Sequence, residues 1–558
     1  MAKEVKTPWQ RFIGMLELDR KDIKQIFYYA IFAGLVALTL PLGIQAIINL
    51  IQGAQISSSW IILVVLVTLG VAFQGILQLM QARILENMQQ KIFTRASFEF
   101  AYRFPKIKLT ELNDYYPPEL ANRFFDILTV QKGLSKILID FPAAILQIIF
   151  GLVLLSFYNP YFILFGLVLV TFIYLVFKYS AEKGMKTSLY ESKKKYKVAN
   201  WIQELARSVL TFKISSKNNL ILKRNDELTL DYINAREGHF KIVMMQFVQF
   251  VIFKVLITSG LLLIGGLLVL NQQINIGQFV AAEIIILLVI SSVEKIISGL
   301  ESFYDVLTSI EKIGQVVDKE MDVEEGVNPF ETKKPLVIEL DDVGYTRPSG
   351  KEIVKSASLT IKSTDRFILQ GPPGSGKSTL MKVISGLLPI TKGAIYINDI
   401  SIKASCLTEY RDSIGQVLPA QKPFHGTIKE NITFGDPNVT QEEIHWALKN
   451  VGLLNYVKEL PNGLNTVIKS EGLDVPHTIS KRILLAAAII HKPKLLMLKD
   501  ALEEFDADEA NKLIDFLIAP DKPWALFVSS RSARWNKKCN KKLFLNNGVL
   551  TQKPIQDA

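Results

Sequence analysis

The first 300 residues alternate between long apolar runs and charged stretches. Six runs, near 26–51, 59–80, 137–158, 161–178, 246–270 and 276–299, are each apolar over roughly the 20 residues a helix needs to cross a bilayer. They predict six membrane-spanning helices. Asn159-Pro160 alone separates the third from the fourth, a turn signal that makes the pair an antiparallel hairpin. Past residue 335 the pattern changes. Short β-like runs, Leu336–Leu340, Phe367–Gln370, Ala394–Ile397, Leu495–Leu498 and Ala525–Val528, alternate with helical ones, the pattern of an α/β domain. Between the halves lies DKEMDVEEGVNPFETKKP, acidic first and then carrying Pro and Lys. The predicted organisation is an N-terminal segment 1–25, a transmembrane domain 26–317, a linker 318–335 and an α/β domain 336–558.

Charge orients the spans. Gln52–Ser58, Asn159-Pro160 and Asn271–Asn275 contain no Lys or Arg, whereas 1–25, 81–136 and 179–242 are rich in both. The positive-inside rule places the N-terminus and both long loops in the cytosol, and an even number of spans returns the chain there. The long loops have few Gly and Pro interruptions and are predicted to be helical extensions of the spans. Each pair needs a short helix at its tip, with Glu119–Asp126 and Glu204–Lys213 as candidates. Thr7–Gln25 is amphipathic and basic, suited to lie in the interface before the first span. Lys254 and Glu283 fall inside the fifth and sixth runs. Intramembrane charge points to substrate contact. The plainer reading is that Lys254 snorkels to the cytosolic side and Glu283 faces a watery cavity near the outer side. A depth difference of about 10 Å argues against their pairing directly.

Composition narrows the class. The 558 residues are 49% hydrophobic and 21% charged, which is too apolar for an ordinary soluble enzyme. The net charge of +11 flanks apolar runs, so it points to a membrane surface and not to nucleic acid. Cys406 and Cys539, both in the C-terminal half, make no disulfide framework and fit a reducing compartment. The first apolar run is longer than a signal-peptide core and lacks its cleavage pattern, so it is expected to stay in the membrane.

The candidate chemistry centres on Gly371–Thr379, GPPGSGKST. Two glycines with four residues between them, then Lys and a hydroxyl residue, form a P-loop, here between a strand-like run and the helical run Leu380–Gly386. Gly371, Gly374 and Gly376 let the backbone wrap around phosphates. The N–H groups of the loop, including those of Ser375 and Thr379, and the following helix N-terminus face the anion. Lys377 is expected to reach the β/γ-phosphates and Ser378 to hold Mg²⁺. A chance Gly-rich loop is the alternative, disfavoured by the complete pattern in its strand–loop–helix setting.

The whole arrangement resembles a type I ABC exporter half-transporter. GLLPITKGAIYINDI (Gly386–Ile400), FHGTIKENITFG (Phe424–Gly435) and KRILLAAAIIHKPKLLML (Lys481–Leu498) are similar to stretches of that family's nucleotide-binding domain. The resemblance implies a six-helix membrane domain with long cytosolic extensions plus an α/β P-loop domain, ATP as ligand, and a multi-pass protein of a bacterial inner or plasma membrane. It also implies a homodimer, or a heterodimer with another half-transporter. ATP would be sandwiched between one P-loop and the partner's signature motif.

Several family motifs are altered. The signature LSGGQ falls on VPHTI (Val475–Ile479), which lacks the Ser and both Gly; Pro476 has no N–H. The Asp that supports Mg²⁺ after the Walker B strand is Lys499, and the catalytic Glu is the shorter Asp500, a weak candidate base. The switch His is Ser530, and the Q-loop Gln is Pro419, with Gln421 two residues on. The adenine-stacking aromatic is Arg347, with Tyr345 as the alternative platform. Asp506 remains, within EEFD. Drift could explain any one change. Together they predict an exporter-type protein that binds ATP, hydrolyses it weakly or not at all, and takes part in transport of an amphipathic lipid, peptide or protein. The alternatives are a non-transporting scaffold or regulatory subunit that retains the fold, and a hydrolysing exporter with substitute residues.

Overall fold

The structure is a computed structural model that describes residues 6–52, 58–113, 115–214, 219–331 and 335–553. It divides into two compact units, one drawn from residues up to 105 and 114–319, the other from 106–113 and 320–558.

The first unit is helical: α1 (Pro8–Glu17), α2 (Arg20–Ala37), α3 (Thr39–Gln52), α4 (Ser58–Arg103), α5 (Pro117–Ala121), α6 (Asp126–Ser135), α7 (Phe141–Tyr158), α8 (Tyr161–Arg207), α9 (Val209–Ile214), α10 (Leu220–Leu270) and α11 (Ile276–Val317). Six helical stretches among the described residues are long and apolar enough to cross a membrane. At 46 residues α4 is about 69 Å long, more than twice the roughly 30 Å hydrocarbon core, so its charged half extends well beyond it. The first span breaks between Ala37 and Thr39. Pro41 causes this, because it has no N–H to donate and its ring crowds the carbonyl of Ala37. Pro142 acts similarly on the third span, where Lys136–Asp140 is wound as a π segment. Helix α11 is the most enclosed. Half of its apolar window is buried, against 11% for that of α4, whose many exposed Leu, Val and Ile side chains suit a lipid-facing surface.

The structure fills in three parts of the expected organisation. Thr7–Gln25 holds two helices: α1 ends at Glu17 and α2 begins at Arg20. Thr7 and Gln10 cap α1 reciprocally. Its Arg11 bonds Glu311 and, at 2.6 Å, Asp318, so that cation serves α11 and not lipid headgroups. Second, Glu119–Asp126 is not the first loop's tip. It belongs to a helical run from Pro117 to Ser135, and the chain turns earlier, through short 3₁₀ segments at Phe104–Lys106 and Leu109–Leu112. The second loop does turn within Glu204–Lys213, where α8 ends and α9 begins; residues 215–218 lie outside the described set. Third, the linker is an ordered, hydrogen-bonded segment. Lys108 N–H donates to Glu320 O at 2.9 Å, Asp322 N–H to Lys106 O at 2.7 Å, and Ile107 bridges Met321. Leu109 packs on the α/β core, Arg411 bonds Asp322 at 2.6 Å, and Phe330 stacks on Tyr410. The first loop's tip and the linker from Glu320 on are thus parts of the α/β unit; linker residues 332–334 lie outside the described set, as do 1–5 in the N-terminal segment and 53–57 between the first two spans.

That unit holds two larger sheets. Arg366–Gln370, Ala525–Ser529, Leu495–Lys499 and Ile414–Val417 run parallel in that order, with Lys541–Asn546 parallel on the other side of Arg366–Gln370 and Val549–Lys553 antiparallel at the edge. Val337–Thr346 anchors a second, antiparallel sheet with Glu352–Val354, Leu359–Lys362 and Lys392–Ile397. The central parallel strands are buried on both faces, which is why they read as unbroken apolar runs. Trp524 is fully buried beside them and its Nε1–H donates to Leu517 O at 3.0 Å. Trp524→Ala is expected to destabilise this unit by about 3–5 kcal/mol, read as lost hydrogen-exchange protection along Ala525–Ser529.

Candidate functional site

Parallel strands end together, so the loops that follow them share one crevice. Ile368, Val528 and Leu498 are in register. The next residues along these strands lead to Gly371–Gly376, Ser530-Arg531 and Asp500. These three loops line a cavity of about 1070 Å³.

The strand Arg366–Gln370 leads through the P-loop into the helix Lys377–Ile384. Gly371 has φ +148°, and a Cβ there would meet Leu545 O at 2.1 Å; Gly376, at φ +100°, starts the helix from a left-handed conformation. Lys377 Nζ donates to the carbonyls of Gly371 and Pro372, both at 2.8 Å, and lies 3.4 Å from the buried Ser375 Oγ. The ammonium is therefore held over the loop. Gly374, Ser378 and Thr379 line the same cavity.

The cavity is strongly cationic. Arg347, Lys351, Lys355, Lys377, Lys499 and Arg531 face it, with Glu352 and Asp500 as its carboxylates. Burial and then the Lys499 charge lower the pKa of Lys377 below the usual lysine value; Asp500 opposes this and Arg531 adds to it. An anion placed here would relieve that repulsion. Arg347 sits in the exposed hairpin turn before Lys351, where Gly350 N–H donates to its carbonyl at 2.9 Å.

Tyr345 requires correction as a base platform. It is 3% exposed and packs in the core beneath the antiparallel sheet, because the register shift between Asp341 and Gly344 resets the alternation begun by the buried Ile338 and Leu340 and turns Val343 and Tyr345 inward. Gln421 is occupied too. Its Oε1 accepts from Leu418 N–H at 2.6 Å, closing a local turn away from the cavity lining. Lys254 is exposed on α10 and Glu283 half-buried on α11, with no ion pair between them among the described residues.

Around the altered motifs the residues bond to one another. Asp500 has φ +48°, and its N–H donates to Ser529 O at 2.9 Å. Its carboxylate lies 3.6 Å from Lys499 Nζ. Ser530 Oγ donates to Glu503 Oε1 at 2.5 Å, and Arg531 N–H donates to the same oxygen at 3.3 Å. His477, at the start of the helix His477–Ile489, pairs with Glu504. Asp506 stands before the helix Ala507–Ile518 without a side-chain capping bond. Sequence reasoning missed Glu503 and Glu504 as partners, and Lys351, Lys355 and Arg531 as cavity cations. The recurrence of Lys around the Arg347–Gly350 turn was the available signal.

Mg²⁺ does not fit this donor set. Ser378 offers one hydroxyl, but the position for a supporting carboxylate carries the Lys499 ammonium, and Asp500 is engaged with it. No group of three or more His, Cys, Asp or Glu placed to hold a metal occurs among the described residues.

Comparisons with known proteins agree with the fold. Residues 25–293 match the family model described as ABC transporter transmembrane region and 354–503 the one described as ABC transporter. The chain is 22% identical over 448 residues to an ATP-dependent lipid A-core flippase of Desulfotalea psychrophila, covering 79% of this chain and 77% of that one. It is 31% identical over 270 residues to an ATP-dependent permease of Candida albicans, covering 47% of this chain and 39% of that protein. The fold is similar to that of a bacterial Atm1-family ABC exporter solved with ATP bound, with TM-score 0.81 at 15% identity over 95% of this chain and 94% of that one.

A phosphate placed here would draw on a protonated Lys377. Because its folded pKa is depressed, anion affinity should fall as pH rises, starting below the ordinary lysine range of about 10.4. Removing the Lys499 charge in Lys499→Met raises that pKa, so the alkaline loss should move to higher pH, as read by nucleotide titrations across the alkaline range.

Proposed function

The chain belongs to the ABC transporter family, as an exporter-type membrane region fused to a nucleotide-binding domain, and from that premise we propose that it binds ATP and hydrolyses it weakly or not at all. It serves the movement of an amphipathic lipid, peptide or protein. The lipid A-core flippase relative supports a lipid-like substrate. Its six spans make it a multi-pass membrane protein, and the charge distribution of its loops places the nucleotide domain in the cytosol.

One observation carries the weak-hydrolysis reading. Lys499 follows the Walker B strand at the position of the metal-supporting Asp, lines the nucleotide cavity and lies 3.6 Å from Asp500, the candidate base. Asp500 is also one methylene shorter than the Glu it replaces, which alters its reach to a water. A general base contributes about 10²–10⁴ in rate, and one lost electrostatic stabiliser costs about 10²–10³. Ser530, which replaces the imidazole, donates its hydrogen bond to Glu503.

Family members of this layout work as dimers, and the consequence holds for either pairing. In a homodimer both P-loops face VPHTI. In a heterodimer with an intact relative, this P-loop faces a sound signature but lacks the Glu and His beside it, while the partner's P-loop faces VPHTI. Neither assembly contains a complete site.

The test is ATP binding and ATPase activity of the full-length protein in lipid. Binding is expected with turnover at least ~100-fold below that of an intact-motif family member assayed alongside. Rapid turnover that Lys377→Ala abolishes would overturn this reading. Absence of ATP binding would favour a scaffold. Loss of a residual activity in Asp500→Asn would favour substitute-residue hydrolysis.

A further inference from the structure

We propose that this chain binds nucleoside triphosphate without a divalent metal, with the Lys499 ammonium taking the counter-charge role beside Lys377. The inference rests on the nucleotide-site reading above and deepens it by specifying the form of the ligand.

Three observations converge. The first is the donor set. A hard divalent cation in a triphosphate site needs oxygen ligands from the protein beside those from the phosphates. Here Ser378 offers a hydroxyl, Asp500 lies against Lys499, Glu352 stands at the exposed end of its strand, Gln421 closes its own turn, and Ser530 donates to Glu503 while accepting from Ser532 N–H. The second is charge. Six cationic side chains face the cavity against two carboxylates. A metal-free triphosphate carries more negative charge than its magnesium complex, so it answers this excess better, while Mg²⁺ would add to it. The third is position. Lys499 ends the strand Leu495–Lys499, whose register with Ala525–Ser529 fixes it near the P-loop strand. Its side chain is 18% exposed, which leaves the ammonium open to a ligand yet partly shielded from water. Of the charged side chains around Lys377, Lys499 acts on it most strongly.

Lys499 and Lys377 would then grip the phosphates from two sides. The P-loop N–H groups cradle them, and Arg347 and Arg531 stand at other parts of the lining. The exposed Arg347 side chain is free to reach the base or the outer phosphates. An ammonium is a point charge that donates hydrogen bonds but holds no water for attack, so the exchange favours binding over turnover.

The experiment compares ATP affinity of the full-length protein in lipid nanodiscs, in excess Mg²⁺ and in excess EDTA. Wild type should bind in EDTA as tightly as in Mg²⁺, or more tightly. Lys499→Asp should invert the dependence and bind at least about tenfold more weakly in EDTA than in Mg²⁺. Lys499→Arg, which keeps the charge, should retain metal-free binding, whereas Lys499→Ala should lose about tenfold or more. A wild-type affinity that falls tenfold on chelation would overturn the inference while leaving the nucleotide site standing. Unchanged EDTA affinity in Lys499→Ala would also overturn it. No binding in either buffer would overturn the nucleotide-site reading itself, and this inference with it.

Discussion

The hydrogen-bonded register of the parallel strands governs this protein's chemistry. Because Arg366–Gln370, Ala525–Ser529 and Leu495–Lys499 run side by side in one direction, the residues just past their ends cannot avoid one another. Whatever occupies those positions becomes a common electrostatic environment. A substitution at 499 is therefore felt at 377, more than 100 residues away in sequence, through a cavity that backbone pairing makes obligatory. The buried apolar strands hold this arrangement independently of the polar side chains at its rim, so the rim can change its chemistry while the fold stays intact.

Much of this was readable from the sequence, for physical reasons that differ by region. The spans were legible because lipid leaves few options. A run such as 246–270, with one charge among apolar residues, has no comfortable place in water. The P-loop was legible because close backbone approach to phosphate demands Gly at fixed positions. Lys499, Ser530 and Pro419 could be mapped because intact neighbouring stretches fix the alignment around them.

The illegible part lay in side-chain partnerships and local turns. Tyr345 reads as a ring near the site, but one residue of strand alternation decides whether it faces the cavity or the core, and the register shift between Asp341 and Gly344 resets that phase. Gln421 looked available for the missing Q-loop role, yet its short reach to Leu418 N–H commits it locally. Glu503 and Glu504 gave no periodic signal at all. Their partners, Ser530 and His477, lie 27 residues away in opposite directions. The first loop turns before Glu119–Asp126 because Pro117 and Pro118 start the helical run that contains it.

The pairing of Lys106–Lys108 with Glu320–Asp322 bears on how the molecule is made. Lys108 and Glu320 are separated by 212 positions, and four of the six apolar stretches lie between them. During synthesis the first segment must wait, unpaired, until those stretches have been laid into the membrane and the chain has emerged again. Completion of the α/β unit therefore requires that all four stretches have already been made. A chain with a misplaced span would present its nucleotide unit without this edge, leaving Ile107 and Leu109 uncovered as apolar surface of the kind that quality-control chaperones bind.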